Sequence, residues 1–267
     1  MYLALNQATQ PHLSYVAFLD LAAALGCVGV EVRNDLGRPL FDGLDPAEAG
    51  AMARARDLEI LSINQISPFD DGRPQTLTDA AQLIEIAGRA GAKHISLIPS
   101  LRGDPGSPEA RQSRLQEALL PLLPLLRQGG VVGLIEPLGF PEATVQHAAE
   151  AVAVIEALEA HDHVKLVHDT FQHSLGGGGQ LFFPQHTGLV QISGVSDPYA
   201  QFNVELDNHR GLVDGEDRVG NLQQIRAFFD GGYLGAFSLE CTDKAVHTLA
   251  DPERRIRACA SFLRDHI

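Results

Sequence analysis

The chain of 267 residues has no tryptophan, two methionines and three cysteines, and its 20 lysines and arginines are outnumbered by 34 aspartates and glutamates. Each shortage excludes something. Cys27, Cys241 and Cys259 are odd in number and lack paired spacing, so no disulfide framework and no CxxC zinc or redox site is expected, and reduced thiols suit the cytoplasm. A formal charge of -14 repels phosphate backbones and anionic membranes, which argues against sequence-independent nucleic-acid binding. The opening MYLALNQATQP has no basic stretch ahead of an apolar segment, and no window reaches the roughly 18–20 apolar residues of a membrane span. Also missing are HExxH, the GxSxG elbow and the GxxxxGK[ST] and GxGxxG phosphate loops. The glycine run at 176–179 is therefore read as a flexible loop or a tight turn after a strand.

What is present is a repeated alternation. Eight short apolar runs, LALN (3–6), GVEVR (29–33), EILSIN (59–64), HISLIP (94–99), VVGLIE (131–136), HVKLVHD (163–169), GLVQIS (188–193) and GAFSLE (235–240), are bounded by Gly, Pro or polar residues. They are too short for buried helices and apolar on both faces, as strands covered on both sides must be. Helical periodicity fills the gaps at 14–25, 46–57, 78–90, 108–128, 141–160, 222–229 and 252–264. Eight βα units in one chain of this length predict an α/β fold, a single (β/α)8 TIM barrel spanning residues 1–267, with a doubly wound open sheet as the alternative.

Glu136, Asp169 and Glu240 each close one of these runs. In a barrel, strand-final side chains converge on one mouth, where uncompensated acids repel and raise one another's pKa. Two arrangements answer the repulsion. One is a hard divalent cation taking oxygen ligands, with the Gln191 amide oxygen as a fourth donor; the other is a set of salt bridges with Arg33, Arg218 or Lys165. A glycosidase using paired carboxylates without metal is a further reading.

The stretches LNQAT (5–9), GVEVRND (29–35), LSINQISPF (61–69), IEPLGFPEATV (135–145), LVHDTFQHSLG (166–176), LVQISGVSD (189–197), GEDRVG (215–220) and FSLEC (237–241) run in an order that resembles the xylose-isomerase-like TIM barrels. That group includes sugar epimerases, ketose isomerases and inosose isomerases, and the LNQAT and EDRV segments are most similar to the last. The resemblance implies a divalent metal (Mn²⁺, Mg²⁺ or Co²⁺) held by Glu136, Asp169, the residue at 191 and Glu240. It also implies an acid–base pair, Glu136 and Glu240, that moves a proton next to a carbonyl through an enediolate. Two positions depart from the pattern: Gln191 stands where the family has a metal-binding His, and Gln172 where many members have a substrate-binding His.

Substrate contacts are expected from Arg218, Gln172, Asn6, Asn64, Arg33 and His209. The function implied is a cytoplasmic isomerase or epimerase of a small polyhydroxy ketone, an inosose or a related ketose. The alternatives are an inosose dehydratase on the same scaffold and a sugar-binding barrel that lost turnover with its histidines. The resemblance also implies a homodimer or homotetramer. A family nuclease activity is disfavoured by the acidity and the missing basic clusters.

Overall fold

The computed structural model describes residues 1–267, apart from the side chains at 204 and 205. Its eight strands are β1 (Tyr2–Asn6), β2 (Gly29–Arg33), β3 (Glu59–Ile66), β4 (His94–Leu97), β5 (Val132–Ile135), β6 (Val164–Asp169), β7 (Thr187–Ile192) and β8 (Ala236–Leu239). All pair in parallel and in sequence order, and β1 closes onto β8, so the sheet is a closed barrel rather than an open one. The helices are α1 (Tyr15–Ala24), α2 (Pro46–Arg54), α3 (Pro74–Ala90), α4 (Pro108–Gly129), α5 (Ala148–Ala157), α6 (Thr170–Leu175), α7 (Asn221–Asp230), α8 (Lys244–His247) and α9 (Pro252–His266).

Local chemistry sets the helix ends. Ser14, Asp45, Ser107 and Asp251 accept hydrogen bonds from the first-turn amides of α1, α2, α4 and α9, and proline opens α2, α3, α4 and α9 where no amide is required. Gly91 ends α3 with φ 72°, a left-handed turn that costs glycine little. The outer core forms where the helices cover the strands, and holds Tyr15, Phe18, Leu19, Ile63, Ile95, Leu119, Ile155 and Phe237 among others.

A second, smaller apolar cluster lies inside the barrel: Ala4, Leu61, Leu134, Val167, Leu189 and Ala236. Side chains on a strand alternate between faces, so the next inward positions are Asn6, Glu136, Asp169, Gln191 and Ser238. Each of these five stands above an apolar one. The barrel has a greasy floor and a polar mouth at the carboxyl ends of its strands.

Two segments differ from the sequence expectation. The helix expected from residue 141 begins only at Ala148. Residues 138–145 are held instead by loop contacts, Thr144 N donating to Ser100 O at 2.9 Å and Leu138 N to Val145 O at 3.0 Å. The glycine run does not follow its strand directly: α6 intervenes, capped by the carboxylate of Asp169, the last residue of β6, which accepts from Phe171 N at 2.7 Å and Gln172 N at 3.0 Å. The run packs back on this helix: Gly178 N donates to His173 O at 3.0 Å. No helix among the described residues is long and apolar enough to cross a membrane.

Candidate metal centre

Glu136 and Glu240 come one residue after β5 and β8, and Asp169 is the last residue of β6. One ligand atom from each lies within 4.8 Å of the others, and all three side chains are buried. The three acids differ in their partners. Asp169 offers Oδ1 to the α6 amides and Oδ2 to Arg210 Nη1 at 2.5 Å. Glu240 Oε1 accepts from Asn6 Nδ2 at 3.1 Å and Arg33 Nη1 at 2.8 Å, and its Oε2 faces Arg210 Nη2 at 3.5 Å. Among the described residues, no hydrogen-bond donor reaches the Glu136 carboxylate.

The electrostatics follow from these contacts. Burial raises the Glu136 carboxyl well above the ordinary carboxylate range, and the charges of Glu240 and Asp169 push the same way. Burial lifts Glu240 to about 8 against the pull of Arg210 and Arg33. For Arg210, burial disfavours the charge, but Asp169, Glu240, Asp207 and Glu136 more than offset it and hold the guanidinium protonated. Asp207 is raised by burial, with Arg210 opposing.

Around the mouth, the carboxylates of Asp35, Glu136, Asp169, Asp207 and Glu240 face only the guanidiniums of Arg33 and Arg210. The surplus negative charge, the donorless Glu136 and the buried Gln191 Oε1, which has no hydrogen-bond partner, fit a divalent cation with oxygen ligands. Carboxylate oxygens already bonded to Arg or amide donors keep a second lone pair for such an ion.

The mouth itself is a cavity of about 440 Å³. Arg33, Glu136, Gln172, Asp207, Arg210 and Glu240 supply its polar side, and Leu36, Ile98, Leu138 and Phe140 its apolar side. Gln172 is fixed at both ends of its amide, accepting from Gly139 N at 3.0 Å and donating to Asp207 Oδ1 at 3.0 Å. Gly139 must lack a side chain there, since a Cβ would come within 2.3 Å of Gln172 O.

The remaining expected site residues have partners within the protein. Gln191 is fully buried and in register with Asp169, and its Nε2 donates to Glu31 Oε2 at 2.9 Å. Asn64 donates to the same Glu31 oxygen at 3.2 Å and accepts from Ser96 Oγ at 3.0 Å. Asn6 accepts from Ala8 N at 2.9 Å while steadying Glu240. Asn6 and Asn64 therefore spend their amides on the protein and do not line the cavity. Arg218 is exposed and donates to the carbonyls of Asp197 and Ala200 at 2.6 and 2.8 Å, over the Phe202 ring. His209 is exposed on a separate cleft of about 1030 Å³ against α9. Neither is brought to the acids.

Arg210, Asp207 and Glu31 are the participants that sequence reasoning passed over. The first two had no local signal, lying in the long connection after β7. Glu31 had one: a charged residue in the middle of GVEVR, two positions before Arg33 and so on the same face.

The chain belongs to the xylose isomerase-like TIM barrel family, whose model matches residues 19–266. Among solved structures it is similar to a xylose isomerase domain-containing protein from Salmonella typhimurium LT2, with 27% identity, a TM-score of 0.88, and coverage of 98% of this chain and 97% of that one. The IolI protein, solved with a binding zinc atom, superposes with a TM-score of 0.86 at 16% identity, over 100% of this chain and 99% of that one. D-psicose 3-epimerase from Clostridium cellulolyticum H10 does so at 0.76 and 15%, over 100% and 99%. The last two likenesses establish the fold alone. No curated protein matches the chain.

Proposed function

We propose that this barrel is a divalent-metal-dependent isomerase or epimerase of a small polyhydroxy ketone, an inosose or a related ketose. The observation that carries the reading is the convergence of Glu136, Asp169 and Glu240 in one buried cluster whose charge the neighbouring arginines do not balance. Glu136, Asp169, Glu240 and the Gln191 oxygen would hold the cation, which when bound polarises a ketone and acidifies the adjacent C–H. The IolI protein's zinc and the epimerase named above are consistent with this class.

The two glutamates have different surroundings, and this divides their work. Asn6, Arg33 and Arg210 all face Glu240, stabilising its ionised form, so it is equipped to take a proton from the carbon beside the carbonyl. Glu136 has no donor and burial raises its affinity for a proton, so once it holds the cation it would take a proton from solvent and deliver it to carbon, while Glu240 returns its own to solvent. Delivery to the opposite face of the same carbon inverts it, and delivery to the neighbouring carbon moves the carbonyl. Arg210 and Gln172 stand at the cavity wall to receive substrate oxygens, while Leu36, Ile98, Leu138 and Phe140 cover its carbon skeleton.

The test is incubation of inosose and candidate ketoses in D₂O with the protein and Mn²⁺, followed by NMR. Deuterium entering next to the carbonyl without water loss is expected. Water loss would instead indicate a dehydratase, and binding without exchange a non-catalytic barrel.

A further inference from the structure

Glu31 lies inside the barrel beneath the mouth, with no exposed surface. A buried carboxylate normally has a cation against it, because desolvation costs several kcal/mol per charge. Glu31 has amides instead. Its Oε2 accepts from Gln191 Nε2 at 2.9 Å and from Asn64 Nδ2 at 3.2 Å, and its Oε1 has no hydrogen-bond partner. Behind Asn64 the chain of contacts continues through Ser96 Oγ at 3.0 Å to Ser62 Oγ at 3.2 Å, so β2, β3, β4 and β7 are joined across the barrel.

The arrangement decides which way an amide points. Glu31 Oε2 accepts from both amides, and this fixes the NH₂ end of Gln191 toward it. The Gln191 carbonyl oxygen is thereby left buried and without a donor, on the strand position in register with Asp169. A glutamine free to turn would present NH₂ to a cation half of the time, and an NH₂ group cannot coordinate.

We infer that Glu31 is a positioning residue of the cation centre, holding the Gln191 amide so that its oxygen stays available to a divalent ion. This rests on the metal-dependent reading above. It assigns to Glu31 the part that a carboxylate plays behind a metal-binding imidazole, where loss of the outer partner typically lowers metal affinity about 10–100-fold.

The experiment is titration of the purified chain with Mn²⁺ alone, free ion being counted by electron paramagnetic resonance, alongside thermal unfolding of the metal-free proteins. Glu31→Gln is expected to bind Mn²⁺ about 10–100-fold more weakly, while its metal-free Tm stays close to that of the wild type, since burial already favours the uncharged form of Glu31 and the substitution keeps its shape. In the Gln191→Leu background, Glu31→Gln is expected to cause no further loss, because the effect passes through the Gln191 oxygen. Equal losses in both backgrounds, or a fall in Tm that parallels the fall in affinity, would overturn the inference and leave the metal centre standing. A wild-type chain that binds no Mn²⁺ would overturn both.

Discussion

Arg210 Nη1 stands 2.5 Å from Asp169 Oδ2, and the same guanidinium faces Glu240 Oε2 at 3.5 Å through Nη2. One loop cation thus ties the ends of β6 and β8 together inside the mouth. It is itself held from behind, its Nε donating to Asp207 O at 3.2 Å and its backbone N to Thr242 Oγ1 at 3.4 Å.

Removing that guanidinium leaves buried Asp169 without its cation and Glu240 with Arg33 alone. Arg210→Ala is expected to lose about 3–5 kcal/mol of stability, measured by urea unfolding without metal. Millimolar Mn²⁺ should recover more stability in the variant than in the wild type. Arg218→Ala is the contrast: its exposed side chain bonds only loop carbonyls, so turnover should be unchanged.

Metal binding should release protons. The Glu136 carboxyl is raised well above its ordinary range and Glu240 to about 8, so the metal-free protein carries protons there that a cation must displace. Apparent Mn²⁺ affinity is expected to rise with pH up to about 8, by up to about tenfold per pH unit for each proton displaced. Calorimetry in two buffers of different ionisation enthalpy counts those protons, and Glu136→Gln should release fewer.

His168 gives a stability slope of known sign. It is buried on the outer face of β6 with Nε2 against Gln224 Oε1 at 2.8 Å, and burial lowers its pKa to about 3. Since the unfolded value is about 6.5, its contribution is complete above that pH and is lost as pH falls from about 6.5 toward 3, by about 1.4 kcal/mol per pH unit. Between pH 7 and 5.5 the wild type should therefore lose about 1.2 kcal/mol more than His168→Asn. The raised carboxyls Glu136 and Glu240 act in the opposite direction, but equally in both proteins, and cancel.

Gln191→His puts at the proposed fourth donor position the imidazole that the family resemblance implies. Imidazole favours Zn²⁺ and Co²⁺ over Mg²⁺, so competition binding should move toward those two ions. Unchanged selectivity would mean that position 191 does not touch the metal.

The strand runs and their terminal acids were legible because both obey a short local rule: an apolar core strand stops where it meets a polar mouth. Glu136, Asp169 and Glu240 could be named on that rule alone. Arg210 could not, because its placement depends on a loop anchored at a distance, with Gly194 and Gly211 paired and Thr242 beneath. The same applies to residues 141–147, whose helical pattern yields to the bonds of Thr144 with Ser100 and Asp70. Arg218 was expected at the site on a motif, and Arg210, eight residues earlier, occupies it. In both cases tertiary contacts determined the outcome, not local sequence preference.

Crystals soaked in MnCl₂ and measured at the manganese absorption edge give the most direct test of the metal centre. One anomalous peak per chain is expected, bounded by carboxylate oxygens of Glu136, Asp169 and Glu240 and by Gln191 Oε1. A peak at some other place, or none between these residues, would contradict that centre.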